Sequence, residues 1–281
     1  GGGQRELSGA QIKSGTLGGL IAFRDDSLQS ARLSLGQLAH GLAESVNSVH
    51  ASGRDLAGNA GGDFFDTGAP IAFANQDNAG SAVVSARFIP GGVSDVSASN
   101  YDISVVDGAF EVTRSADGLQ QTFAQAPIDI GGVSIEIDGA PSEGDRFVVK
   151  PLEDAAREFS VAITNPARVA AARSDSPGDN RNAQALADLQ SQNVIGGAAS
   201  FNSSYAQLVS NVGNTTSRLQ INGDAQQTLT DELTTAQQSA SGVNLDEERV
   251  NLLYYQQMYQ ANARVIETAS SMFDTLLGIR P

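Results

Sequence analysis

The last forty residues, Gly242 to Pro281, constrain the fold more than any other stretch. Apolar residues recur at Met258, Ala261, Val265, Ala269, Met272 and Leu276, in steps of three and four. That spacing places them on one face of an α-helix. Asn244 suits an N-cap, and Glu247 three residues later completes a capping box. Asp246, Glu247 and Glu248 put negative charge at the positive end of the helix dipole. A seam of this kind is buried against another helix. It carries no catalytic chemistry.

Two upstream stretches repeat the theme. From Thr16 to about His50, Leu28, Leu35, Leu42 and Val49 recur every seventh residue, with Ala31, Leu38 and Ser45 three positions on. This is a coiled-coil-like seam whose weak point is Ser45. Gly41 within it costs about 1 kcal/mol relative to Ala, which a close helix contact would explain. Helix resumes near Arg181. Leu208, Val212, Thr215, Leu219, Asn222, Gln226, Leu229, Leu233, Ala236, Ala240 and Val243 alternate four- and three-residue steps. A polar pair at Asn222 and Gln226 would fix register at a cost in stability. Asn222-Gly223 is also a turn dipeptide, so a local break there is the alternative.

Between these stretches the period changes to two. Tyr101, Ile103 and Val105 alternate with polar residues, Asp107-Gly108 comes next, and then Phe110, Val112 and Arg114. That is a hairpin signal. Ile128 and Ile130, Gly131-Gly132, then Val133, Ile135 and Ile137 read as a second hairpin, and Asp145 to Lys150 as a strand ended by Pro151. Short strands with turns between them predict a small sandwich or barrel.

The fold class is therefore α+β: long antiparallel coiled-coil-like helices with an inserted small all-β domain. The expected division is a Gly-rich lead-in and first helix over 1–60, the β insert over 61–172, a returning helical region over 173–241 and a terminal amphipathic helix over 242–281. The first and third segments are expected to pack antiparallel, with the β domain standing out from the far end.

Composition excludes several function classes. The chain has 32 acidic and 17 basic residues, a net charge of −15, and no Lys/Arg cluster, which argues against nucleic acid as a partner. With no cysteine, disulfides and thiolate metal sites are excluded. No apolar run approaches a membrane-spanning length, and no signal peptide opens the sequence. Gly15-Thr16-Leu17-Gly18-Gly19 lacks the Lys-Ser/Thr end of a phosphate loop. Asn59-Ala60-Gly61-Gly62-Asp63 lacks the alternating acidic ligands of a calcium loop. The two histidines, His40 and His50, have no carboxylates around them in sequence and are expected at a surface or interface. Tyr254, Tyr255 and Tyr259 are expected to serve packing rather than ligand binding. No catalytic, metal or cofactor residue is expected, and no enzymatic activity.

Particular runs also carry a resemblance. Gly242-Val243-Asn244-Leu245-Asp246-Glu247-Glu248, with Tyr255 through Ile266, resembles the C-terminal signature of flagellar axial proteins. Ser14 through Asp25, Gly36-Gln37-Leu38-Ala39, Ala43 through Asn47 and Gly61-Gly62-Asp63-Phe64-Phe65 resemble the FlgK family of flagellar hook-associated proteins. The first methionine is Met258, so a processed chain or a piece is expected, with the N-terminal half of such a protein outside it. The resemblance implies a structural role at the hook–filament junction and an extracellular place on the flagellum. Export would run through the flagellar apparatus without a cleaved signal peptide. Implied partners are other copies, the hook protein, the second junction protein and, before secretion, an export chaperone. The residues assigned to assembly and chaperone binding are Leu245, Val250, Leu253, Met258, Val265, Ile266, Met272, Phe273, Leu276 and Leu277. The alternatives are a hook protein or second junction protein and, in a different class, an extracellular adhesin or hydrolase acting through the β domain.

Overall fold

A computed structural model describes residues 15–241 and 245–278. The first helical stretch forms as α1 (Gly15–Ala22), a π-helical segment (Phe23–Leu28) and α2 (Gln29–Ala51). Among the described residues ten strands come next: β1 (Phe65–Asp66), β2 (Ile71–Ala74), β3 (Val83–Phe88), β4 (Tyr101–Val106), β5 (Ala109–Arg114), β6 (Gln120–Phe123), β7 (Ile128–Ile130), β8 (Val133–Asp138), β9 (Arg146–Lys150) and β10 (Ser160–Val161). The remaining described helices are α3 (Arg181–Asp188), α4 (Phe201–Ser241) and α5 (Leu245–Gly278). The architecture is α+β. Asn222-Gly223 does not break α4, so the turn alternative is not realised. The Asn244 cap and its Glu247 box fall on a residue outside those described.

Both hairpins form where turn chemistry and alternation coincide. Tyr101 pairs with Arg114 and Val106 with Ala109. The connecting Asp107 and Gly108 have φ of 51° and 74°, the left-handed pair that a two-residue turn needs to match strand twist. Ile130 pairs with Val133 across Gly131-Gly132 in the same way. The sheets have strand orders β2-β9-β4-β5-β6 and β3-β8-β7, all pairs antiparallel, and β1 pairs separately with β10. Alternation sends Tyr101, Ile103 and Val105 of β4, Val112 of β5 and Phe147 and Val149 of β9 inward. They meet Val84, Ile128, Val133 and Ile135 from the smaller sheet. The result is a sandwich with one core.

A second, smaller core ties α2 to this sandwich. It contains Leu33 of α2 with Val96, Leu152 and Ala155, and Phe88 of β3 packs against both cores. Here the backbones come close. A Cβ at Gly36 would sit inside van der Waals contact with the carbonyl oxygen of Leu152. Gly41 is explained differently from expectation. Its missing side chain leaves room for Ile195, from the connection between α3 and α4, rather than for another helix. Helix propensity alone would make Gly36→Ala stabilising by about 1 kcal/mol. Overpacking against Leu152 outweighs it, and the expected net result is a loss of about 2 kcal/mol, read as a lower thermal midpoint.

Both histidines of the sequence are buried, and each links α2 to segments later in the chain. His40 stacks on Phe88 with ring centroids 3.7 Å apart. His50 donates from Nδ1 to the Gly62 carbonyl at 2.7 Å and accepts the Ala170 N–H on Nε2 at 2.8 Å. Neither is a surface residue; both sit at the interface between α2 and the segments packed on it.

Candidate assembly surface

The chain divides into two units, Gly1–Thr216 and Ser217–Pro281, and α4 spans the division. In the second unit the apolar residues singled out by spacing have no cover. Val250, Leu253, Met258, Val265, Ile266, Met272 and Phe273 of α5 are all exposed, Val265 at 65 % and Phe273 at 67 %. Leu245, Leu276 and Leu277 belong to α5 by backbone, and their side chains lie outside the described residues. Tyr254 and Tyr255 touch each other edge to face, with centroids 5.8 Å apart, yet both are exposed, as is Tyr259. The tyrosines thus join the exposed apolar surface of the helix. Asp246, Glu247 and Glu248 occupy the first turn of α5, where the dipole favours them. Leaving such apolar side chains in water forgoes the free energy that their burial would release.

The first unit has an open apolar groove that the spacing of α2 alone did not reveal. Leu35, Leu38, Leu42 and Val46 of α2 form one wall. Leu186 and Leu189 at the end of α3, and Phe201 and Tyr205 at the start of α4, form the other. The groove holds about 600 Å³ and is predominantly apolar. Leu35 and Leu28, both seam positions, are 47 % and 44 % exposed. Ser45, the weak point of the seam, is buried with its hydroxyl unpaired. The signal that could have located the groove is the heptad itself: it requires a partner along its whole length, and α3 has only eight residues.

Two aspartates in the first unit are held by local hydrogen bonds. Asp145, almost fully buried, accepts N–H groups from Ala79, Gly80 and Ser142, which hold its carboxyl below the ordinary range. Asp179 accepts the Arg181 N–H at the start of α3, and hydrogen bonds from Arg181 and Ser174 lower its carboxyl far below that range. Among the described residues no group of three or more His, Asp or Glu is placed to hold a metal ion, and no helix is long and apolar enough to cross a membrane.

Comparison with known proteins places the chain in a family. Residues 1–65 match the model of the flagellar hook-associated protein FlgK helical domain, and residues 73–151 that of the flagellar hook-associated protein 1 D2-like domain. Residues 236–279 match the C-terminal model of the flagellar basal body rod FlgEFG proteins. The chain is 41 % identical over 291 residues to flagellar hook-associated protein 1 of Salmonella typhimurium, covering 99 % of this chain and 52 % of the relative. It is likewise 41 % identical over 284 residues to the Escherichia coli protein of that name, with the same coverage. It therefore spans about half the length of these curated relatives. The fold also resembles that of the flagellar hook junction protein FlgK from Burkholderia pseudomallei. The TM-score is 0.75 at 24 % identity, over 83 % of this chain and 64 % of that one. The chain belongs to the FlgK family of flagellar hook-associated proteins.

Proposed function

We propose that this chain is part of a structural protein that joins hook to filament, and that its exposed helical surface packs between subunits. The observation that carries the reading is the uncovered apolar face of α5, from Val250 to Phe273. No isolated soluble protein gains from displaying it; an assembly of identical subunits does. Leu245, Val250, Leu253, Met258, Val265, Ile266, Met272, Phe273, Leu276 and Leu277 are the contact residues, and the same face is what an export chaperone holds before secretion. The groove on α2 takes a further helix from the half of the protein outside this sequence.

In this reading 61–172 is a discrete β insert, and 1–60, 173–241 and 242–281 are parts of a helical rod. The confinement of every named strand to Phe65–Val161 supports that division. The protein is extracellular, on the flagellum, exported without a cleaved signal peptide. Its partners are other copies, the hook protein and the second junction protein. Its work is mechanical and needs no cofactor or catalysis.

Immunogold labelling of isolated flagella tests this. Label is expected only at the boundary of hook and filament. Label along the whole hook would make the chain a hook protein, and label confined to the filament side of the boundary would favour the second junction protein.

A further inference from the structure

We propose that His40 is an acid-sensitive latch holding α2 on the β sandwich: protonating it loosens the helix while the sandwich stays folded. The geometry is specific to this position. The imidazole lies flat on Phe88, with 20° between the ring planes. Phe88 is the residue that packs against both the sandwich core and the α2 core, so the stack sits at their joint. His40 is 5 % exposed, and its Nδ1 has no hydrogen-bond partner among the described residues.

Among the described residues no charged side chain is hydrogen-bonded to Nδ1, although Glu44 and Asp95, on elements around the ring, are in no ion pair. On α2, Glu44 one turn on accepts the Gly91 N–H at 3.4 Å, and Arg32 two turns back pairs with Glu153. On β3, Arg87 pairs across the sheet with Glu136 at 3.0 Å. The 3₁₀ turn Val93–Asp95 contributes Asp95, and the segment around Ile195 has no titratable residue. Burial is the cause that lowers the His40 pKa, from 6.5 to about 4.

The sign comes from linkage. The folded site favours the neutral ring, so its contribution is complete above pH 6.5. That contribution falls as pH drops through 6.5 and levels off below about 4. Between pH 7 and pH 4.5 the equilibrium constant for opening should rise roughly 50-fold.

Proton NMR and amide exchange on the 281-residue chain test the latch. One imidazole of the folded chain should titrate near pH 4, and a His40→Gln variant should lose that signal. Protection of α2 amides from Leu33 to His50 should fall roughly 50-fold between pH 7 and pH 4.5, while Ile103, Val112 and Ile135 fall much less. The many carboxylates also titrate in this range, so the variants isolate the histidine. His40→Phe preserves an aromatic stack without a titrating group, and His40→Gln preserves polarity. Each should remove most of the α2-specific loss. Three results would each overturn the proposal: the His40 imidazole titrating near 6.5 in the folded chain, α2 and sandwich losing protection together, or a variant matching the wild-type pH dependence. If His40→Phe does not fold, His40→Gln and the wild-type titration decide.

Discussion

Full-length protein carrying Val265→Asp and Phe273→Asp should leave cells without filaments. Both side chains are about two-thirds exposed in the chain alone. Introducing carboxylates there removes no internal contact, so the unfolding free energy of the chain should change by less than about 0.5 kcal/mol. On the proposed reading the same positions become interior when subunits assemble. An unpaired carboxylate taken from water into an apolar interface costs several kcal/mol, and the cost recurs at every copy. The expected phenotype therefore separates two quantities that usually move together: thermal unfolding is unchanged, while junctions are not built or the protein is not exported. Val265→Leu and Phe273→Leu keep the face apolar and should retain filaments. Motile cells with normal filaments carrying both aspartates would show that α5 is not an assembly surface.

That candidate surface was legible in the sequence for a physical reason. Helical periodicity records which face is apolar whether or not a partner is present, so Met258, Val265 and Met272 announce a seam before anything covers it. The two hairpins were legible because their turns are local: Asp107-Gly108 and Gly131-Gly132 accept positive φ, and alternation runs up to them from both sides. Strand order was not legible. Ile71 pairs with Lys150 and Val83 with Asp138, and nothing near either end specifies the other. Such pairings are settled by which faces must be buried together in the finished sandwich. The α2 groove and the burial of the histidines escaped for a related reason. Histidine is at home in water or in a core, and only its packed surroundings, Phe88 in one case and the Gly62 and Ala170 peptides in the other, decide which.

The second large effect is expected at that second histidine. His50→Ala should lower the stability of the chain by about 4 kcal/mol, measured by urea unfolding at pH 7. The ring is fully buried and works through both nitrogens. Nδ1 donates to Gly62, and Nε2 accepts from the Ala170 N–H. The other side of the Ala170 residue is held as well, because Asn182, also fully buried, donates to its carbonyl at 2.6 Å. Ala170 is thus clamped between the end of α2 and the start of α3. Phe64 closes the site edge-on, with centroids 5.4 Å from the ring. Alanine would open a cavity and leave the buried Ala170 N–H without its partner, two penalties that add. His50→Phe separates them: it fills the space and makes neither bond, so it should still lose about 3 kcal/mol. If His50→Ala falls within about 1 kcal/mol of wild type, the Ala170 clamp does not hold this corner of the fold, and the packing around Leu33 and Leu152 holds it instead.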